Sequence, residues 1–202
     1  MLWVVLAGCA TSSEVKSVPN VHTVTPGLLV RGGQADEAGL AALQKACGIR
    51  TVVNFNARTA GAEAATTRRL GLSYLPLPTD PFRLDASNVV AFLKVLDDAP
   101  RDGPVYVHCK DGMDRTGVAV AAYRILDCGW TADRALAELR RHQAPEHTLL
   151  FQNVPPFVRG IGRHQAQWSD RLAHAAPPPV RRAPPGAAPT TGPAAACKPA
   201  SS

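Results

Sequence analysis

The sequence predicts an α/β domain in which helices flank a central, mainly parallel sheet. Short apolar runs, among them TVVNF (51–55) and PVYVHC (104–109), have the length and composition of buried strands. Segments with apolar residues at helical spacing, such as Ser87–Leu96, lie between these runs. Strands and helices that alternate in this way over roughly 130 residues are typical of a mainly parallel sheet.

Turn and cap residues give the limits of the individual elements. Pro26-Gly27 divides a polar–apolar alternation, as expected of a hairpin, and Gly48, Gly71 and Gly129 directly follow helical runs as stop signals. Thr131 is placed to cap a helix. The expected elements are a hairpin over Val21–Val30, a helix from Asp36 through Cys47, strands over 51–55, 72–77 and 104–109, and helices over Glu63–Leu70, Ser87–Leu96, Thr116–Cys128, Ala132–His142 and Pro145–Val158.

Composition divides the 202-residue chain into three parts. Residues 1–19 are expected to be a signal remnant and linker, and residues 20–162 the folded domain. Residues 163–202 form a Pro/Ala-rich basic tail that is too poor in apolar surface to fold, so we expect it to be disordered. Residues 20–150 hold 15 Lys and Arg against 14 Asp and Glu, so most of the net charge of +6 lies outside the domain. This balance argues against a nucleic-acid partner.

The five cysteines show neither paired spacing nor the Cys/His spacing of a zinc site, so no metal is expected. Their odd number and irregular spacing argue against a disulfide framework. Cys47 and Cys128 lie among helical apolar residues and are predicted to be buried small hydrophobes. Cys197 is predicted to be an exposed thiol.

The N-terminus MLWVVLAGC ends in a sequence that resembles the lipobox of bacterial lipoproteins. In such a signal the cysteine, here Cys9, becomes the acylated N-terminus, and the short apolar run before it is too short to span a bilayer. No positive charge precedes that run, and a frayed apolar terminus is the alternative. The resemblance implies a membrane partner through a lipid anchor and a periplasmic location in the bacterial cell envelope, with Ala10 favouring the outer membrane.

The segment VHCKDGMDRTG (107–117) has the features of a phosphate-binding loop. A buried strand ends at His108, a five-residue loop follows Cys109, and a helix begins near Arg115. Inward-facing N–H groups of residues 110–114 (Lys110, Asp111, Gly112, Met113 and Asp114) and the helix N-terminus together favour an anion. Gly112 permits the backbone angles of the turn, and the same field stabilises a thiolate at Cys109. Arg115 provides a planar two-pronged donor for phosphoryl oxygens, and Thr116 is placed to hydrogen-bond the sulfur.

This H-C-x5-R-T pattern resembles the signature of the protein tyrosine phosphatase superfamily, and the chain is most similar to compact dual-specificity-like phosphatases of bacteria. The resemblance covers residues 20–160 and includes LLVRGGQ (28–34). It implies a compact cysteine-phosphatase fold, attack of the Cys109 thiolate on phosphorus, and hydrolysis of a phosphocysteine intermediate. The implied partner is a phosphorylated protein carrying phosphotyrosine, with phosphoserine and phosphothreonine as further substrates. No cofactor is expected.

The resemblance also implies a general acid on an upstream loop. Asp80 in LPTDPF is the leading candidate, since it follows the 72–77 strand and lies between two prolines. Asp85 and an aspartate of the loop itself remain alternatives, although Asp85 is also placed to cap a helix.

Several residues carry the question of specificity. His108 is expected to polarise the thiolate, and Arg31 and Arg58 are expected to be structural unless Arg58 matches the family's N-L-R arginine. Lys110 and Asp111 resemble loops of inositol-lipid phosphatases, so a phosphoinositide or inositol phosphate phosphatase is one alternative. A phosphate-binding pseudophosphatase without turnover is the other.

Overall fold

The computed structural model describes residue 15 and residues 17–183 and contains a five-stranded sheet. The strands are β1 (His22–Thr25), β2 (Leu29–Gly32), β3 (Thr51–Asn54), β4 (Ser73–Pro76) and β5 (Val105–His108), in the order β1-β2-β5-β3-β4. β1 and β2 form an antiparallel hairpin, and the other neighbouring strands are parallel. The predicted α/β class with a mainly parallel sheet is therefore confirmed.

Helices cover both faces of the sheet. They are α1 (Glu37–Cys47), α2 (Ala60–Arg69), α3 (Ala86–Asp102), α4 (Asp114–Leu126), α5 (Ala132–Arg141), α6 (Pro145–Leu150), α7 (Val154–Arg163) and α8 (Gln165–His174). The expected caps are present at α1, where Asp36 accepts the Gly39 amide at 2.7 Å and Gly48 adopts a φ of 67°. In the part of the chain that the structure describes, no helix is long and apolar enough to cross a bilayer.

Two apolar cores lie on the two faces of the sheet. The larger core joins the sheet to α3, α4, α5, α7 and α8, and the smaller joins it to α1, α2 and the N-terminal Val15 and Val18. α4 belongs almost entirely to the larger core, since most of its residues from Thr116 to Ile125 are buried. A helix packed this closely behind β5 fixes the position of the loop between them.

The C-terminal part of the domain extends further than the sequence predicts. α8 lies within the 163–202 segment that was expected to be disordered, and its Trp168 is buried against Phe157 with ring centroids 6.1 Å apart. Arg181 then pairs with Tyr74 of β4 through two backbone hydrogen bonds of 2.8 and 2.9 Å. The folded part therefore reaches residue 183, because one aromatic anchor and one sheet edge hold a segment whose overall composition is polar. Residues 184–202 lie outside the described part.

Two further predictions are changed by the structure. The single helix expected over Pro145–Val158 is divided into α6 and α7 at Phe151, whose side chain turns into the core. Cys47 and Cys128 are disulfide-bonded, so the expectation of simple buried thiols is wrong. The lipidation candidate Cys9 lies outside the described residues, as do most of residues 1–19.

Candidate active site

The loop of residues 109–113 occupies the centre of the sheet's carboxyl edge. It joins β5 to α4, and β5 lies between β2 and β3. The carboxyl ends of parallel strands are where open α/β sheets bind ligands. The sheet topology therefore surrounds the loop with the segments that follow β2, β3 and β4.

Groups outside the loop hold its carbonyl oxygens. The Lys110 carbonyl accepts the Gln34 amide at 2.8 Å, and the Gly112 carbonyl accepts Arg31 Nη2 at 2.6 Å. By contrast, the backbone N–H groups of residues 110–116 have no acceptor among the described residues. The carbonyl groups of the loop accept hydrogen bonds from outside it, whereas its N–H groups remain available to a ligand. Such a loop is an anion-binding nest, and the N-terminus of α4 adds further N–H groups to it.

Gly112 is required by the geometry of this loop. Its φ is 73°, and a Cβ at this position would lie 2.4 Å from the Gly32 carbonyl carbon and 2.6 Å from the Gly33 nitrogen. The end of β2 therefore packs directly on the backbone of the loop. This contact leaves no room for a side chain at Gly112. This explains why the motif RGGQ faces the motif CKDGMDR.

Cys109 and Arg31 lie beneath the loop. Cys109 is 2% exposed and is a free thiol. Arg31 is 1% exposed, and its Nε and Nη1 have no hydrogen-bond partner among the described residues. Burial lowers the pKa of Arg31 to about 10, whereas the charges of Glu138 and Cys109 act in the opposite direction. Arg31 is therefore a buried cation close enough to Cys109 for the two charges to interact.

Arg115 is fixed on the sheet-edge side of the loop. Its Nη1 donates to the carbonyl oxygens of Phe55 and Thr79, both at 3.1 Å, in the segments that follow β3 and β4. No acceptor for its Nε or Nη2 occurs in the described ranges. One edge of the guanidinium is thus anchored, and the other remains available for an anion.

Asp80 and Asp85 have similar local geometry. Asp80 follows Thr79, the residue that anchors Arg115, and its Oδ1 accepts the Phe82 amide at 2.8 Å. Asp85 caps α3 by accepting the Ser87 amide at 2.8 Å, as its position in the sequence indicates. Both carboxylates are exposed, but Asp80 lies next to an Arg115 contact.

Comparison with known proteins identifies the family. The family model described as "DSP-PTPase phosphatase fused to NAD+ Kinase" matches residues 11–153. This chain belongs to the DSP-PTPase family.

Relatives and solved structures agree with that assignment. The chain is 35% identical over 121 residues to the dual specificity protein phosphatase TpbA of Pseudomonas aeruginosa, a match that covers 60% of this chain and 53% of TpbA, so the match spans about half the length of that relative. A crystal structure of a cysteine-to-serine variant of P. aeruginosa TpbA in complex with pTyr is 28% identical with a TM-score of 0.65, covering 77% of this chain and 91% of that one. The catalytic core of the PP-IP phosphatase SIW14 from S. cerevisiae, at 17% identity and a TM-score of 0.58 over 74% of this chain and 94% of that one, shares the fold.

The remaining residues predicted for the site differ in their exposure to solvent. Lys110 is exposed at the loop, Asp111 and Met113 are half-buried, and Thr116 is fully buried with an Oγ1 that has no partner among the described residues. Arg58 is exposed. The structure thus brings the backbone of the predicted phosphate-binding residues together, whereas the Arg58 side chain stays on the surface.

Asp114 is engaged by side chains of the helical layer. Its Oδ1 accepts Gln143 Nε2 at 2.5 Å, and its Oδ2 lies 2.6 Å from His147 Nδ1. With both oxygens bound, this carboxylate ties α4 to the segment around α6. That arrangement disfavours Asp114 as a freely available proton donor.

Sequence reasoning did not find the polar groups that support the loop from behind. Glu63 of α2 is 4% exposed and contacts His108. Gln34 donates its backbone N–H to the Lys110 carbonyl and its side-chain Nε2 to Glu63. Asn20 Nδ2 also reaches the Gly112 carbonyl at 3.1 Å. Their partners are distant in sequence, so no local spacing marks them.

Proposed function

We propose that the chain is a cysteine-dependent phosphatase that hydrolyses phosphomonoesters of tyrosine, and of serine and threonine, through a phosphocysteine intermediate. Cys109 attacks phosphorus, Arg115 and the loop N–H groups bind the equatorial oxygens, and Asp80 protonates the leaving oxygen. Water then hydrolyses the phosphocysteine and releases inorganic phosphate. Thr116 hydrogen-bonds the departing sulfur.

The observation that carries this proposal is a set of hydrogen-bond donors without acceptors around the free thiol of Cys109. The N–H groups of residues 110–116, Arg115 Nε and Nη2 and Arg31 Nε and Nη1 all lack acceptors within the described ranges. Buried donors in folded proteins are nearly always paired, so an unpaired group of this kind supports an anionic ligand. The thiol of Cys109 lies at the same loop.

An exposed apolar surface supports a polypeptide substrate. Phe82, Leu149 and Leu150 are the exposed large apolar residues of the described chain, at 57%, 77% and 59%. Phe82 follows Asp80 by two residues and contacts Phe151, whereas Leu149 and Leu150 belong to α6, which is tied to Asp114. A phosphorylated peptide offers apolar groups to such a surface, whereas an inositol phosphate offers none. The TpbA variant crystallised with pTyr, a related protein, agrees with this choice.

The exposed Lys110 favours the alternative activity on inositol phosphates or phosphoinositides. Its ammonium group has no ion-pair partner in the described part of the chain and lies at the loop. A free cation at this position would attract a second phosphate of a polyanionic substrate.

The location of the protein is part of the same proposal. We propose that it is exported and anchored in the cell envelope through a lipid on Cys9. The resemblance of the sequence LAGC (6–9) to a lipobox supports this location. Incorporation of labelled palmitate should occur in the full chain and be lost in Cys9→Ala; equal labelling of both would refute the anchor.

A substrate panel tests the proposed activity. The full chain should hydrolyse p-nitrophenyl phosphate and a phosphotyrosine peptide, vanadate should inhibit it, and Cys109→Ser should have no turnover. Lys110→Ala should leave the peptide rate largely unchanged. An inert wild type, or a Cys109→Ser variant with full activity, would refute the proposal. Faster hydrolysis of inositol phosphates, lost in Lys110→Ala, would favour the alternative.

A further inference from the structure

Asn20 is, in the part of the chain that the structure describes, the one residue other than glycine with a positive φ, which is 51°. It lies shortly before β1 and is half-buried. Gly, Asn and Asp adopt this left-handed conformation readily, whereas most other residues do not, and it persists where neighbouring contacts hold it. The side-chain contacts of Asn20 are with the loop of residues 109–113 and with the end of α5.

The side-chain amide of Asn20 uses both of its hydrogens. Nδ2 donates to the Gly112 carbonyl at 3.1 Å and to the His142 carbonyl at 2.9 Å. Both partners are backbone oxygens that can only accept, so the donor has to be the amide nitrogen rather than Oδ1. Asn20 therefore bridges the loop to His142, the residue that ends α5.

Other contacts hold the backbone around Asn20 independently of its side chain. The Pro19 carbonyl accepts the Gly33 amide at 2.7 Å, directly after β2. Val18 is buried in the smaller core, against α1. Removal of the Asn20 carboxamide should therefore leave this segment in place.

One peptide unit of the loop is oriented by the Asn20 contact. The Gly112 carbonyl accepts Asn20 Nδ2 and Arg31 Nη2, and both donors lie outside the loop. In a trans peptide such as this one, the C=O and the N–H of the next residue point in opposite directions. The Met113 N–H therefore points towards the centre of the loop, and it has no acceptor among the described residues.

We propose that Asn20 is a positioning residue that holds the Gly112–Met113 peptide so that the Met113 N–H donates to an oxygen of the bound phosphoryl group. The inference rests on the proposed function only in taking this loop as the phosphoryl site. Arg31 holds the same carbonyl from the side of β2, so loss of Asn20 weakens the support without removing it. The segment before β1 thus contributes to the site through one side chain.

Asn20→Gly is the variant that isolates this contact, because glycine keeps the left-handed backbone and adds no charge. The affinity for inorganic phosphate and kcat/KM on p-nitrophenyl phosphate should both fall by about 3- to 10-fold, the range for one lost hydrogen bond. Gln44→Ala is the matched control, since Gln44 Nε2 also donates to a backbone carbonyl, that of Leu70, at 3.2 Å. That contact joins the ends of α1 and α2, and its loss should leave both quantities unchanged.

Amide spectra of ¹⁵N-labelled protein titrated with inorganic phosphate provide the direct test and need no turnover. In the wild type, the amides of Asp111 and Met113 should both shift with phosphate. The Lys110 carbonyl is held by the Gln34 amide at 2.8 Å, so the Asp111 N–H is oriented without Asn20. In Asn20→Gly the response of Met113 should shrink while that of Asp111 persists.

An undiminished Met113 response in folded Asn20→Gly, or a wild-type Met113 amide that ignores phosphate, would overturn the inference. If Asn20→Gly does not fold, the same comparison in Asn20→Asp decides, because aspartate also tolerates the left-handed backbone but cannot donate to the Gly112 carbonyl. Phosphate binding with the expected Met113 response, in a wild type without turnover, would support the positioning role and refute the proposed function.

Discussion

Asp80 and Asp85 make the same kind of hydrogen bond in one loop. Substitutions at these two residues can therefore distinguish a catalytic role from a structural one. Each carboxylate accepts the backbone amide two residues further along the chain at 2.8 Å, and both are exposed. Asparagine can make the same bond, so neither substitution should disturb the backbone. Only Asp80 lies next to an anchor of Arg115, and only Asp80 is proposed to deliver a proton.

The pair of substitutions should therefore give different rates with similar stability. Asp80→Asn should lower kcat by about 10²–10⁴-fold on a phosphotyrosine peptide, the range in which a positioned general acid acts. Asp85→Asn should keep the wild-type kcat, since asparagine caps α3 equally well. Steady-state kinetics and thermal melting of both variants provide the check; equal loss of rate in both would contradict the role of Asp80.

At the element scale, local sequence patterns predict most helices and strands. They do not predict the residues that support the loop after β5. Asp36, Gly48 and Thr131 act at helix ends as their positions predict, because caps depend on neighbouring residues. The contact of Glu63 with His108 depends instead on which helix covers which strand. A single buried glutamate in an Ala-rich helix carries no periodic signal, so its role became visible only in three dimensions.

The end of α5 is predicted to carry a pH-dependent part of the stability. Burial, and then the charges of Arg31 and His22, lower the pKa of His142 to about 4. Between about pH 6.5 and about pH 4 the unfolded chain binds the proton and the folded chain does not, so this residue reduces stability as the pH falls through that window. Its contribution is complete above about pH 6.5.

Thermal melting at about pH 7.5 and about pH 5 measures this effect. The fall in melting temperature on acidification should be smaller in His142→Gln than in the wild type. His174→Gln, a change on the exposed surface of α8, is the control and should behave as the wild type does. A larger fall in His142→Gln would contradict the sign of the pKa shift.

At the scale of the whole molecule, the C-terminal segment belongs to the fold. Composition alone assigned it to a tail, because prolines and arginines dominate residues 175–183. The structure nevertheless buries Trp168 and pairs Arg181 with the edge of β4. Sheet edges and core gaps are properties of the assembled domain, so the sequence of the segment could not reveal them.

Two truncations test this extension. A chain that ends at residue 164 should be less stable than one that ends at residue 183 by about 3 kcal/mol or more, comparable with removing a buried aromatic side chain. Both lack Cys197, so they are matched in cysteine content. Urea unfolding gives the free energies of unfolding. Equal stabilities of the two truncated chains would contradict the boundary at residue 183.

The central claim is that the loop after β5 binds a phosphoryl group and that the Cys109 sulfur accepts it. Acid quenching during turnover of a phosphotyrosine peptide, followed by mass spectrometry of the digested protein, tests that claim most directly. We predict an adduct of one phosphoryl group on the peptide that contains Cys109, accumulating further in Asp80→Asn if breakdown of the intermediate also uses that carboxylate. Turnover that proceeds with no adduct on Cys109 and survives Cys109→Ser would contradict it.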